Sequence, residues 1–108
     1  MSDKIDVQLV GKELRKKSEK WFPEVHKPDA VVPLAVHYTV GLAGEVGEAA
    51  NLIKKWSRYG LDSYHYPEEL GAELADVFCY LLLLADELGL DLQEELVNKI
   101  ATNIQRWG

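Results

Sequence analysis

The segment from Pro67 to about Leu88 carries apolar side chains at nearly every angle around a helix. Its start is typical of a helix, because proline suits the first helical position and the glutamates that follow suit the positive end of the helix dipole. A helix that is apolar on all sides must be buried on most of them. Three partner helices in a chain this short cover only part of it. We therefore expect its remaining sides, including those of Leu82 and Leu83, to contact a second copy.

Apolar residues recur at helical spacing in three further segments, and strand signals are scarce. A fourth helix is expected after Gly89, where Asp91 and Glu94 form a start that resembles a capping box. The first helix is expected at about residues 4–21 and the second at about 34–59. A proline-containing link at 23–34 joins them, and a further link is expected at 60–66. We predict an all-α fold, a four-helix bundle that forms a single domain over residues 1–108 and assembles as an oligomer.

The second helix is expected to turn one apolar arc to the core. The members of this arc are Leu42, Val46, Ala49, Ile53 and Trp56. At 100° per residue Glu45 falls at the edge of the arc, and Glu48 lies about 60° further round. Gly41, Gly44 and Gly47 lie in the same helix, and each costs roughly 1 kcal/mol relative to alanine. Either the close approach of another helix or access for a ligand compensates for this cost, or the helix is kinked or frayed at these glycines.

Two pairs of carboxylates lie three residues apart in the expected helices, Glu45 with Glu48 and Glu73 with Asp76. Residues at this spacing share one helix face with Cβ atoms about 5–6 Å apart, so each pair can present two carboxylates to a single point. Four converging carboxylates would repel one another, and some would take up protons. A hard cation such as Mg²⁺ between the two helices, with Mn²⁺ as its expected substitute, resolves the repulsion.

Two alternatives to a magnesium site deserve comparison. A single E-x-x-E motif in a soluble helix is most often surface charge, but Glu73 and Asp76 interrupt an otherwise apolar helix, where unpaired carboxylates are costly to bury. A di-iron carboxylate bundle needs Glu-x-x-His motifs on its helices, and the sequence contains none. Because Mg²⁺ commonly joins protein carboxylates to substrate phosphates, the acid pairs favour phosphate chemistry.

The net charge of −6 argues against general nucleic-acid binding, which depends on a basic surface. A phosphate ligand would therefore need local positive charge. Lys99, Asn103 and Arg106 share one stripe of the fourth helix and would supply it beside the acids, although such a stripe alone is usually a solvated face. Lys55 near the end of the second helix is a second source, favoured there by the helix dipole in any case.

Aromatic residues provide candidates to contact a nucleobase. Tyr80 lies one turn beyond the second acid pair and between its members in angle, so that its ring would flank a ligand held there; a core aromatic is the alternative. Trp56 and Trp21 are further candidates, because aromatic faces stack on bases, but core packing explains both equally well. Glu69 shares the acid stripe and is either an outer ligand or a response to the helix dipole.

Several other classes of function have little support. The sequence has no P-loop, no G-x-S-x-G elbow and no G-x-G-x-x-G motif. Its longest apolar run, residues 77–85, is too short for the ~20 residues of a membrane helix, and its N-terminus lacks a signal peptide. The single cysteine, Cys79, suits a reducing compartment. We expect a cytoplasmic protein with no membrane or nucleic-acid partner.

With these residues identified, the chain resembles the MazG-like all-α nucleoside triphosphate pyrophosphohydrolases. The resemblance covers about residues 36–107. It rests on E-x-x-E followed by E-x-x-D, on Gly44-Glu-Val-Gly-Glu-Ala-Ala-Asn51, and on the tail Lys-x-x-x-Asn-x-x-Arg-Trp. It implies Mg²⁺ ligation by the four acids, with Glu45 or Glu48 as general base. It also implies a substrate site formed by Lys99, Asn103, Arg106, Tyr80, Asn51, Lys55 and Trp56.

Two functions from different classes follow. The first is a Mg²⁺-dependent enzyme that hydrolyses a (d)NTP to the (d)NMP and pyrophosphate, in nucleotide-pool sanitation or regulation. The second is a catalytically idle helical module that binds a nucleotide or a protein partner through its apolar third helix. In either case we expect a homodimer or homotetramer with the site near a subunit boundary.

Overall fold

The computed structural model describes residues 5–59 and 68–108. Within these ranges the chain forms four α-helices and no strand, so the predicted all-α class is confirmed. The helices are α1 (Val7–Trp21), α2 (Leu34–Tyr59), α3 (Glu68–Glu87) and α4 (Leu92–Trp107). A short 3-10 helix, Pro23–His26, lies within the expected proline-containing link. The first helix begins at Val7, with Asp6 as its N-cap, and not at about residue 4 as expected, since residues 5 and 6 are not helical. The link at 60–66 and the helix-opening Pro67 lie outside the described residues.

Local chemistry ends α3 and starts α4 where the sequence indicates. Gly89 adopts a left-handed conformation with φ of 68°, and the N–H of Leu90 donates to the carbonyl oxygen of Ala85 at 2.9 Å. This pattern is the Schellman motif that commonly closes a helix. Two residues later, the side chain of Asp91 accepts a hydrogen bond from the N–H of Glu94 at 3.1 Å. The predicted cap of α4 is therefore confirmed, and the turn between the two helices is short.

α3 is the central helix, with α2 along one side and α1 against its C-terminal half. Gly11 permits the approach of α1, because a Cβ atom at this position would lie 3.1 Å from the carbonyl oxygen of Leu82. Arg15 strengthens the contact through ion pairs at 2.9 Å to Glu87 and 3.6 Å to Asp86. The end of α3 is thus fixed to α1 by close backbone approach and by charge.

This packing corrects the expected pattern of burial on α3. Leu82 and Leu83, expected on uncovered sides, are only 3% and 9% exposed, because neighbouring helices enclose the C-terminal half of α3. The side chains left open are instead Leu74 and Phe78, at 53% and 51% exposure. The expectation of incomplete coverage holds, but it applies to a different face of the helix.

The inward face of α2 is also rotated relative to the predicted arc. Its buried residues are Tyr38, Ala49, Leu52 and Trp56. Val46 and Ile53, which the sequence assigned to the core, are about half exposed, at 49% and 50%. At 100° per residue the difference is a rotation of about 40°. It moves Glu45 from the edge of the apolar arc into the face that packs against α3.

α4 does not close a bundle around α3. It packs mainly against α1 and leaves its apolar seam open, with Leu96, Ile100 and Ile104 at 58%, 49% and 62% exposure. The radius of gyration is 16.8 Å, compared with about 13 Å for a compact domain of this length. A single chain therefore presents uncovered apolar faces on three helices. Among the described helices, none is long and apolar enough to cross a lipid bilayer.

Candidate metal and nucleotide site

The antiparallel pairing of α2 and α3 brings the two acid pairs to one place. Glu45 lies with Asp76, whereas Lys55, further along α2, shares a cavity with Glu69, which comes earlier in α3. Residue numbers therefore increase along α2 in the direction in which they decrease along α3. Because each pair has a spacing of three residues, each projects from one face of its helix. The predicted convergence of the two motifs is thus present between the helices.

Three of the four acids form a compact cluster. Carboxylate oxygens of Glu45, Glu73 and Asp76 all lie within 4.8 Å of one another. Glu45 and Glu73 are each half-buried, and one oxygen of each, Oε2, is buried with no hydrogen-bond partner among the described residues. Buried acceptors without partners are rare in folded proteins and call for a ligand or solvent. A cation that takes oxygen ligands would satisfy both atoms, so the residues present fit a divalent metal ion.

Glu48 lies beside this cluster. It is exposed, is outside the set of mutually close oxygens, and lines a cavity together with Glu73. Its negative charge nevertheless acts on the cluster, since it contributes to the raised pKa values of both Glu45 and Glu73. The four acids therefore separate into three clustered carboxylates, of which Asp76 is exposed, and Glu48, which lies beside them and is also exposed.

Two carboxyls of the cluster, those of Glu45 and Glu73, have raised pKa values. Loss of solvation is the largest cause raising the pKa of Glu45 above its usual 4.5, followed by the charges of Glu48 and Asp76. The pKa of Glu73 is raised in the same way, first by desolvation and then by its interactions with the neighbouring carboxylates of Glu48 and Glu45. Carboxylates in this state gain from any positive charge placed among them, either a proton or a metal ion.

A cavity of about 420 Å³ opens beside the cluster. Its lining residues are Glu48, Asn51, Leu52, Lys55, Glu69, Ala72 and Glu73. Asn51 and Lys55, both assigned to substrate binding from the sequence, thus share a cavity with two of the predicted metal ligands. Glu69 lines the same space, which places it near the acids as its stripe suggested. Among the described residues of a single chain, Lys55 is the basic residue that lines this cavity.

The aromatic candidates occupy different environments. Trp56 is only 6% exposed and belongs to the buried face of α2. The ring of Tyr80 lies against Gly41 of α2, and its centroid is 6.5 Å from that of Tyr38. Trp21, at the end of α1, is 61% exposed. Of the three, only Tyr80 follows the acid motif of α3 on the same face, one turn after Asp76.

The stripe on α4 is not brought to the acids within one chain. Lys99, Asn103 and Arg106 are exposed on a helix that packs mainly against α1, while the acid cluster lies between α2 and α3. The guanidinium of Arg106 instead lies 5.5 Å from the ring centroid of Trp107. Within one chain these three side chains therefore lie apart from the acid cluster.

Sequence reasoning missed the residues that surround Tyr80. Tyr38 was not singled out, because an aromatic residue at the start of a helix has no distinctive pattern. Its hydroxyl lies at the centre of a buried polar group with Ser18 and His26. Gly41 was noted only as one of three glycines, and no sequence signal separates it from the others. The structure separates Gly41 from the other two glycines. An added Cβ atom at Gly41 would collide with the ring of Tyr80, whereas one at Gly44 or Gly47 would meet no atom within 4 Å.

Comparison with known proteins identifies the family. The sequence model of the MazG-like family matches residues 46–108, which include Glu48, Glu73 and Asp76. The chain belongs to the MazG-like family. The matched MazG-like segment begins one residue after Glu45, and it extends through the whole of α3 and α4.

Two curated proteins are similar to this MazG-like chain. Gene 37 protein of Mycobacterium phage L5 is 38% identical over 69 residues, which cover 62% of this chain and 60% of that protein. The protein dCTP pyrophosphatase 1 of Mus musculus is 31% identical over 94 residues, which cover 83% of this chain and 51% of the mouse protein. The chain thus spans between about half and three fifths of the length of these relatives. No solved structure gives a significant match.

Proposed function

We propose that this chain is a Mg²⁺-dependent nucleoside triphosphate pyrophosphohydrolase, which converts a (d)NTP and water to the (d)NMP and pyrophosphate. The observation that carries the proposal is the pair of buried Oε2 atoms of Glu45 and Glu73, which have no hydrogen-bond partner in the part of the chain that the structure describes. They lie beside Asp76 and next to a cavity that contains a lysine. Family membership supports the same reaction class, and the mouse relative is named for pyrophosphatase action on dCTP.

Glu45, Glu73 and Asp76 would hold the metal ion, with Glu48 completing or flanking the set. A bound Mg²⁺ would neutralise charge on the phosphates and lower the pKa of a coordinated water. Glu48 is the better candidate for the general base, because it lies outside the compact cluster and opens on the cavity. It would accept the proton of the water while the bond between the α- and β-phosphates breaks and pyrophosphate leaves.

The remaining polar groups would orient the substrate. Lys55 and Asn51 would contact phosphate oxygens from within the same chain, since they line the cavity next to Glu48 and Glu73. Lys99, Asn103 and Arg106 would reach the phosphates from a second copy. The exposed apolar residues on α2, α3 and α4 supply the surface for such an assembly, as a homodimer or a homotetramer.

Pyrophosphate release from a panel of dNTPs and NTPs, dCTP among them, tests the proposal. We expect release with Mg²⁺ or Mn²⁺, none with EDTA, and none from the Glu73→Gln variant. The matched control is Glu13→Gln, which removes an exposed carboxylate of α1 that pairs with Lys16 of the same helix. Failure of the wild-type protein to hydrolyse any nucleotide would favour the catalytically idle module instead.

A further inference from the structure

A buried polar group outside the acid site joins three parts of the chain. The Oγ atom of Ser18 on α1 lies 2.8 Å from Nε2 of His26 in the 3-10 helix. The hydroxyl of Tyr38 on α2 donates to Ser18 Oγ at 3.2 Å and lies 3.4 Å from the same imidazole nitrogen. Ser18 and Tyr38 are 7% and 1% exposed. Because its hydroxyl is bonded and its ring is enclosed, Tyr38 has a fixed position.

The ring of Tyr38 in turn contacts Tyr80 of α3. Their centroids are 6.5 Å apart with an interplanar angle of 61°, an edge-to-face arrangement. Tyr80 also occupies the space above Gly41, where an added Cβ atom would lie within 3.0 Å of three atoms of the Tyr80 ring. The ring of Tyr80 therefore contacts both the ring of Tyr38 and the stretch of α2 that has no side chain at Gly41.

This pocket for the ring lies at one end of the acid site. Tyr80 follows Asp76 by one turn of α3, and Gly41 precedes Glu45 by one turn of α2. The cavity that contains Lys55 lies at the other end of the cluster, because the two helices are antiparallel. A triphosphate that extends from Lys55 across the acids would thus place its nucleoside near Tyr80.

We propose that Tyr38 and Gly41 are positioning residues for nucleoside recognition: they fix the ring of Tyr80 at the nucleoside end of the acid site. Tyr80 would contact the nucleoside, while Ser18 and His26 anchor Tyr38. The proposal rests on the pyrophosphohydrolase function proposed above, and it names the part of the chain that discriminates nucleotides from bare polyphosphate.

The test compares Gly41→Ala with Gly44→Ala, the same substitution three residues further along α2, where an added Cβ atom meets nothing within 4 Å. We expect Gly41→Ala to raise KM for the preferred nucleotide about tenfold, with kcat changed by less than about threefold, because stacking contacts with the base are lost. Inhibition by inorganic tripolyphosphate, which has no base, should be the same in both variants. Tyr38→Phe, which keeps the ring and loses the hydroxyl, should raise KM in the same direction by a smaller factor.

A double variant separates positioning from general destabilisation. In a Tyr80→Ala background the space above Gly41 is empty, so adding Gly41→Ala should raise KM no further. Equal KM values for Gly41→Ala and Gly44→Ala, or a full additional effect in the Tyr80→Ala background, would overturn the inference. Calorimetric binding of an α,β-imido nucleotide with Mg²⁺ distinguishes the two proposals. If the wild-type protein binds the nucleotide but does not hydrolyse its substrate, the proposed enzymatic function is rejected, and Kd becomes the readout for the same variants. If it neither binds nor hydrolyses a nucleotide, both the enzymatic function and the positioning role are rejected.

Discussion

Glu45 on α2 and Glu73 on α3 meet across the helix pair, and each buries an Oε2 atom that has no hydrogen-bond partner among the described residues. The pKa of each carboxyl is raised, with desolvation as the largest cause in both cases. Two helices thus hold like charges together in the metal-free chain. The arrangement has an unfavourable electrostatic energy that a proton or a cation relieves, and this property makes the site testable without an activity assay.

The first prediction concerns pH. Both glutamates have folded-state pKa values above the usual 4.5, so the folded state binds more protons than the unfolded state above that pH. Stability of the metal-free protein should therefore fall as pH rises from about 4.5 toward neutrality through the folded pKa values. Thermal melts with EDTA should show a steeper fall in Tm for wild type than for Glu73→Gln, whose cluster carries one charge fewer. Equal slopes would mean that the carboxylates do not repel one another in the folded state.

The second prediction concerns Asp76→Asn. Relief of repulsion should leave the metal-free protein at least as stable as wild type, while the rise in Tm on adding Mg²⁺ and nucleotide should be lost with turnover. The measurement is a set of melts with EDTA, with Mg²⁺, and with Mg²⁺ and nucleotide. An Asp76→Asn protein that melts far below wild type in EDTA would show that the acids are a structural network.

The bounds of α2 and the turn from α3 to α4 could be predicted because their causes are local, whereas α1 begins later than expected, at Val7. Residues 34–59 form one helix as expected, and the caps at Gly89 and Asp91 follow from backbone conformation and a side-chain hydrogen bond. The convergence of the acid motifs could also be predicted, since three-residue spacing on two adjacent helices allows few alternatives.

Lateral packing could not be predicted in the same way. Which sides of α3 are covered depends on where α1 lies, and Gly11 decides this through close contact with a carbonyl group that is distant in sequence. The position of α4 beside α1, away from the acids, likewise has no signal in its own amphipathic pattern. Hydrophobic periodicity identifies a face that must be covered, but it does not identify the helix or the copy that covers it.

The third prediction tests whether α4 acts on a neighbouring copy. Asp76→Asn and Arg106→Ala should each be strongly impaired, the first in the metal site and the second in phosphate binding. When the two variants are unfolded, mixed equally and refolded, random pairing into dimers should restore about a quarter of wild-type activity, since half of the dimers contain one chain of each variant and each of these has one intact site of two. Separately refolded variants, combined only at the assay, are the control. No recovery after joint refolding would place Arg106 in the same chain's site or outside any site.

The fourth prediction concerns assembly. Phe78→Glu on α3 and Ile104→Glu on α4 should shift the protein toward a monomer, because both introduce charge into apolar faces that are 51% and 62% exposed in the single chain. Val31→Glu is the control, since Val31 is 99% exposed in the link between α1 and α2. Light scattering at micromolar concentration measures the result. A wild-type monomer of about the chain mass of 12.2 kDa that is folded and active would contradict the expected dimer or tetramer.

The most direct test of the account is the identity of the products. Phosphorus NMR of the preferred nucleotide, incubated with wild-type protein and Mg²⁺, should show the nucleoside monophosphate and pyrophosphate appearing in equal amounts. The same sample with EDTA, and a sample with Glu73→Gln and Mg²⁺, should show the unchanged triphosphate. Formation of a nucleoside diphosphate and inorganic phosphate, or equal product formation by Glu73→Gln, would contradict the assignment of this acid cluster to pyrophosphate release.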